Sequence, residues 1–149
     1  MSFIEKTPPA QNEFIAFEFD LPHSPKKVWR ALTDPTLLEQ WLLPVLADGG
    51  LKLERGAAFT LKAQPRPGWD GVVNCRFVEV EAGKTLSWNW VVGDMDTVVT
   101  FTLTPTTTGT RLSLVQSGFK PNQKQNFGGA RYGWKMIGGN LVDLLERIS

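Results

Sequence analysis

The sequence predicts an α+β fold in which a curved antiparallel β-sheet grips one long C-terminal helix, with two short helices after the first strand. Three observations carry this. Residues 51–119 alternate apolar and polar with a period of two, as strands do. Beyond Pro121 the apolar residues recur at spacings of three and four. Between the first strand and the alternating region lie two serine- or aspartate-proline pairs of the kind that start helices.

The first strand shows in Phe17, Phe19 and Leu21 set against Ala16, Glu18 and Asp20. Ahead of it, residues 1–11 read as a flexible N-terminal arm, because Pro8 and Pro9 block regular structure, and residues 12–149 read as a single domain. Ser24-Pro25 begins one helix, since the serine oxygen accepts from free backbone amides and proline is tolerated where an N–H has no partner anyway. Val28, Trp29, Ala31 and Leu32 form its buried stripe. Asp34-Pro35 repeats the signal, and Leu37, Leu38, Trp41 and Leu42 make a second stripe that Pro44 halts.

Phe59, Leu61 and Ala63 face one way on the next strand. After the turn QPRPGWDG, the run VVNCRFVEV slips its alternation, which predicts a bulge or a strand apolar on both faces. The turns EAGK, VGDMD and PTTTGT separate three more strands, marked by Trp88 and Trp90, by Val99, Phe101 and Leu103, and by Leu112, Leu114 and Gln116. Turns this short imply an antiparallel meander of about six strands. The terminal helix runs from about Asn126, with Phe127, Ala130, Arg131, Trp134, Ile137, Gly138, Leu141, Leu145 and Ile148 on its inner stripe. Gly128, Gly129, Gly133, Gly138 and Gly139 interrupt it, each at roughly 1 kcal/mol relative to alanine. Close approach to the sheet, or a kink beside a cavity, would offset that cost.

Composition narrows the function classes. The chain has 149 residues, 42% hydrophobic and 21% charged, which suits a globular domain without staples. Sixteen Lys and Arg against fifteen Asp and Glu give a net charge of +1, which argues against a binder of nucleic-acid phosphates. Cys75 is the single cysteine, so no internal disulfide forms. The start MSFIEKTPPAQ lacks the regions of a signal peptide, and no apolar run approaches the ~20 residues of a spanning helix; a cytoplasmic location is expected. No metal site is expected from one histidine and one cysteine, and no cofactor motif is present. His23 reads as a surface turn residue, Ser117-Gly118 lacks the glycines of a nucleophile elbow, and Asp94 and Asp96 read as turn carboxylates, so no catalytic residue is assigned.

These elements assemble as a helix-grip. At this point VWRALTDPTLLEQW, GWDGVVNCRFVEVEAGKTLSW, TFTLTPTTTGTRLSL, SGF and YGW resemble the bacterial proteins homologous to the C-terminal domain of the Hsp90 ATPase activator Aha1. The likeness covers residues from about 14 to 148. It implies membership of the wider START-like, Bet v 1-like (SRPBCC) group, which includes polyketide cyclases, and with it a role in stress response.

The aromatics between helix and sheet have two readings. They fill the space themselves, each burying about 150–250 Å2, or they line a pocket of roughly 300–1,000 Å3. The resemblance favours the pocket, with Trp41, Phe59, Trp88, Trp90, Phe101, Gln116, Arg131, Trp134 and Ile137 as ligand-binding residues. Arg131 reads either as meeting an anionic ligand at the mouth or as a solvated head on a buried stem, and the Gln116 amide either binds a polar ligand atom or meets water or backbone at the strand's open end. Relatives often carry histidine at the Gln116 position, so glutamine argues against an inherited proton transfer. Trp69 reads as a lid or as a loop anchor. The expected function is binding or carriage of a hydrophobic small molecule by a monomer or weak homodimer, without covalent chemistry, nucleic acid or membrane. A cyclase- or hydrolase-type enzyme using the same cavity is the alternative. A chaperone-associated module with a chaperone contact is the third, and it carries over least, because the eukaryotic activator has a further N-terminal domain that these residues do not contain.

Overall fold

The computed structural model describes residues 3–7, 13–46 and 51–149. Its elements are β1 (Phe3–Glu5), β2 (Phe14–Leu21), α1 (Pro25–Thr33), α2 (Pro35–Trp41), β3 (Val45–Leu46), β4 (Ala58–Lys62), β5 (Val72–Glu81), β6 (Thr85–Val92), β7 (Met95–Pro105), β8 (Thr110–Ser117) and α3 (Lys124–Arg147). The strands form one eight-stranded antiparallel sheet in the order β1-β2-β8-β7-β6-β5-β4-β3. The α+β helix-grip is thus present: hairpins run from β4 to β8, and β8 returns to pair with β2 in the register Phe17↔Leu114 and Phe19↔Leu112.

The helix starts form as their chemistry dictates. Ser24 Oγ accepts from Lys27 N at 3.2 Å, Asp34 Oδ1 accepts from Thr36 N at 2.9 Å, and each cap is followed by proline at the first helical position. In β5 the register slips between Phe77 and Glu79, so a bulge explains the broken alternation. Before it Val73, Cys75 and Phe77 face the core; after it Val78 is exposed.

Two short edge strands extend the six expected from the sequence. β3 pairs with β4, and β1 pairs with β2 in the register Phe3↔Phe19. Residues 3–5, assigned to a loose arm by sequence, therefore carry an edge strand whose Phe3 ring stacks on Phe19 at 4.8 Å. Pro8, Pro9 and the expected boundary at residues 11–12 lie outside the described residues.

Helix α3 begins two residues before its expected start. It buries Phe127, Trp134, Gly138, Leu141, Leu144 and Leu145. The glycine pair in its middle splits by environment. A Cβ on Gly138 would stand 3.1 Å from the Phe19 ring and 3.2 Å from that of Phe3, whereas one on Gly139 would meet nothing within 4 Å. Only Gly138 marks a close approach, and it serves the β1–β2 end of the core. Gly139→Ala is expected to stabilise the fold by up to about 1 kcal/mol. Gly138→Ala should forfeit that gain by pressing on two rings. Urea denaturation of the two single variants checks the contrast, and equal gains would remove the packing role of Gly138.

Candidate functional site

Between helix and sheet the aromatic layer is mostly solid. Trp88 packs on Phe101 at 5.3 Å and on Phe59 and Phe77 at 5.6 and 6.1 Å, while Phe101 also meets Trp134 at 6.2 Å and Trp41 at 6.2 Å. Trp41, Trp88 and Phe101 are fully buried, and Phe59 is buried against Phe77. The deep space expected between Trp88, Trp90, Phe101 and Trp134 is thus filled at its Trp88 and Phe101 side. Trp41 is fixed by its own chemistry, since its indole N–H donates to the Ala31 carbonyl at 2.8 Å.

Space remains at the other end of the layer. A half-open cleft of about 440 Å3 lies between the N-terminal half of α3, the ends of β6, β7 and β8, and the loop before β5. Trp90, Trp134 and Ile137, three of the residues singled out in the sequence, line it together with Val92, Met95 and Trp69. The two indoles of its wall, Trp90 and Trp134, stand 5.8 Å apart and tilted at 59°. Along the helix side run Gly129, Ala130 and Gly133. A Cβ on either glycine would meet nothing within 4 Å. Their cost in helix propensity is therefore not offset by close packing, and both lie along the lining of the cleft.

Gln116 forms the polar floor, at 1% exposure. Its Oε1 accepts from Trp134 Nε1 at 2.7 Å, and its Nε2 donates to Thr97 Oγ1 at 2.9 Å. Thr97 in turn donates to the Trp90 carbonyl at 2.9 Å. A single amide thus ties the helix wall to the sheet wall, which satisfies buried polar groups and sets the Trp134 ring plane. Gln123, also buried, closes the same end: its side chain accepts from Lys120 N and donates to the Asp94 carbonyl at 3.0 Å.

The remaining sequence candidates lie elsewhere. Arg131 points away from the cleft and forms a two-point ion pair with Glu5 of β1, with Arg131 Nη2 donating to Glu5 Oε1 at 2.9 Å. That guanidinium holds the Glu5 carboxyl below the usual carboxylate range, against a smaller opposing effect of burial. His23 sits in the turn before α1 with Nδ1 3.1 Å from Lys27 Nζ; burial first, and that ammonium second, lower its pKa. Burial pushes the Cys75 thiol up to about 12. Cys75 is expected to stay unmodified by iodoacetamide at pH 8 in the folded chain and to react once the chain is unfolded in guanidinium. Rapid native labelling would contradict its place in the core. Sequence reading missed Arg66, Gln125 and Asn126 at the cleft's rim. Trp69, weighed as lid or anchor, is both cleft wall and anchor, since its indole N–H donates to the Val72 carbonyl at 3.0 Å. Among the described residues no cluster of three or more metal-ligating side chains exists, and no helix is long and apolar enough to cross a membrane.

A sheet gripping a terminal helix, with a ligand-sized cleft at one end, defines the helix-grip class. Within that class the chain belongs to the family described as Activator of Hsp90 ATPase homolog 1-like protein, whose model matches residues 22–146. Among solved structures it is similar to protein MLL2253 from Mesorhizobium loti, at 41% identity and a TM-score of 0.82, over 91% of this chain and 98% of that one. CalU16 from Micromonospora echinospora shares the fold at 23% identity and a TM-score of 0.73, over 96% and 83% of the two chains. DynU16, a protein of the dynemicin biosynthetic locus, shares it at 24% and 0.75, over 91% of this chain and 48% of that one. No curated protein sequence matches the chain.

Proposed function

We propose that this protein binds a hydrophobic small molecule, aromatic in part, in the cleft between the N-terminal half of α3 and the ends of β6–β8, and holds it by burial and shape. The observation that carries the reading is a cleft of about 440 Å3 beside two indoles, lined on its helix side by Gly129 and Gly133, where a Cβ would meet nothing within 4 Å. That volume falls within the range of small-molecule sites, roughly 300–1,000 Å3. Apolar walls with one buried amide suit recognition by surface complementarity.

A cyclase- or hydrolase-type reaction in the same cleft would call for a group able to move protons. Among the described residues no carboxylate, histidine or thiol lines the cleft, and Arg66 is its one charged side chain. Binding without turnover is therefore preferred. The chaperone reading rests on the family's description, the ligand reading on the cleft of this chain. Native mass spectrometry of freshly purified protein, followed by solvent extraction, tests it. A retained organic molecule, displaced in the Gly133→Leu variant, is the expected result. Retention undiminished in that variant would place the molecule elsewhere and refute the reading.

A further inference from the structure

We propose that the molecule held in the cleft is an acid, a hydrophobic or aromatic carboxylate, and that Arg66 is the residue that selects its charge. The inference rests on the ligand reading above and adds the ligand's chemical class. It starts from the polar groups that line an otherwise apolar cleft: Arg66, Gln116, Gln125 and Asn126. Arg66 is the only one with a formal charge, and none of the ion pairs among the described residues uses it.

The backbone that carries it is held by the chain around it. Arg66 N donates to the Trp69 carbonyl at 2.9 Å and Trp69 N donates back to the Arg66 carbonyl at 2.8 Å, so residues 66–69 form a closed turn. Trp69, anchored through its indole to Val72, lines the same cleft as Arg66. The nearby acids do not occupy that cation. Asp70 Oδ1 accepts from Val72 N at 3.0 Å, within its own turn, and neither Asp94 nor Asp96 lines the cleft.

The floor points the same way. An amide carries two N–H donors and one oxygen. In Gln116 the oxygen accepts a hydrogen bond from the Trp134 indole N–H and one N–H donates to Thr97 Oγ1, which leaves an N–H on a residue that lines the cleft at 1% exposure. Charged and uncharged donors, with no carboxylate to oppose them, match a ligand rich in acceptors. A planar guanidinium at the rim matches a carboxylate, whose two oxygens it engages together.

The test uses a matched pair of probes, 2-naphthoate and 2-naphthamide, followed through the indole N–H resonances of Trp134 and Trp90 in 15N-edited NMR. Both are expected to shift those resonances. At low salt naphthoate should bind about fivefold tighter, the size of one solvent-exposed charge pair, and the advantage should shrink as salt is added. In Arg66→Gln the two probes should bind alike, while Arg55→Gln, which changes an exposed arginine outside the cleft, should keep the preference. Equal binding by the unaltered protein, or a preference that survives in Arg66→Gln, overturns the charge assignment and leaves the cleft reading standing. If neither probe moves the two indoles, the cleft reading falls and the charge assignment with it.

Discussion

Gly133→Leu is expected to weaken ligand binding while raising the stability of the fold. Gly133 lies in the middle of α3 and lines the cleft, and a Cβ there meets nothing within 4 Å. A leucine gains roughly 1 kcal/mol in helix propensity, and its side chain takes up part of the cleft that Trp90 and Trp134 also line. In a chain of this size 1 kcal/mol corresponds to a rise in Tm of about 2–4 °C. Affinity for a naphthalene probe should fall by about tenfold, since the added side chain takes room and contact area from the ligand. Calorimetric melting and isothermal titration of the same sample separate the two effects. Unchanged affinity in a more stable variant would show that the probe binds away from the helix.

Trp134→Ala is expected to be the most destabilising change in the site. Truncation of a buried tryptophan costs about 3–5 kcal/mol through lost transfer energy and the cavity left behind. Here it also strips the donor from Gln116 Oε1, a buried acceptor whose orphaning adds about 1–3 kcal/mol unless water enters. Trp134→Phe divides the two contributions. It keeps a ring against Phe101 and Trp90 and loses the indole N–H, so it should cost mainly the hydrogen-bond share. Urea midpoints for both variants measure the split; a Trp134→Phe protein as stable as the parent would mean that the amide does not depend on its indole partner.

The order of elements was legible because local chemistry determines it. Ser24-Pro25 and Asp34-Pro35 cap helices wherever they occur before an apolar stripe, and alternation from Phe59 to Gln116 has one periodicity that fits. The site was legible in part. Trp88 and Trp90 share one strand face, and only the cross-strand neighbours decide that Trp88 is sealed beneath Phe59, Phe77 and Phe101 while Trp90 borders the cleft. Arg131 has the spacing of the inner stripe, yet its long side chain reaches sideways to Glu5 on a strand that three residues of sequence do not announce. Arg66 and Trp69 come to the rim through a turn whose destination depends on the whole sheet.

The unoccupied Cβ positions at Gly129 and Gly133 set stability and capacity against each other at the same two sites. Almost any side chain introduced there improves the helix and shrinks the room beside it. A laboratory selection for heat-resistant variants should therefore enrich substitutions at residues 129 and 133, and the survivors should be proteins with higher melting temperatures that have lost their guest. Side chains of graded size at these positions, from alanine to leucine, would in turn make a ruler for the largest molecule the cleft still admits.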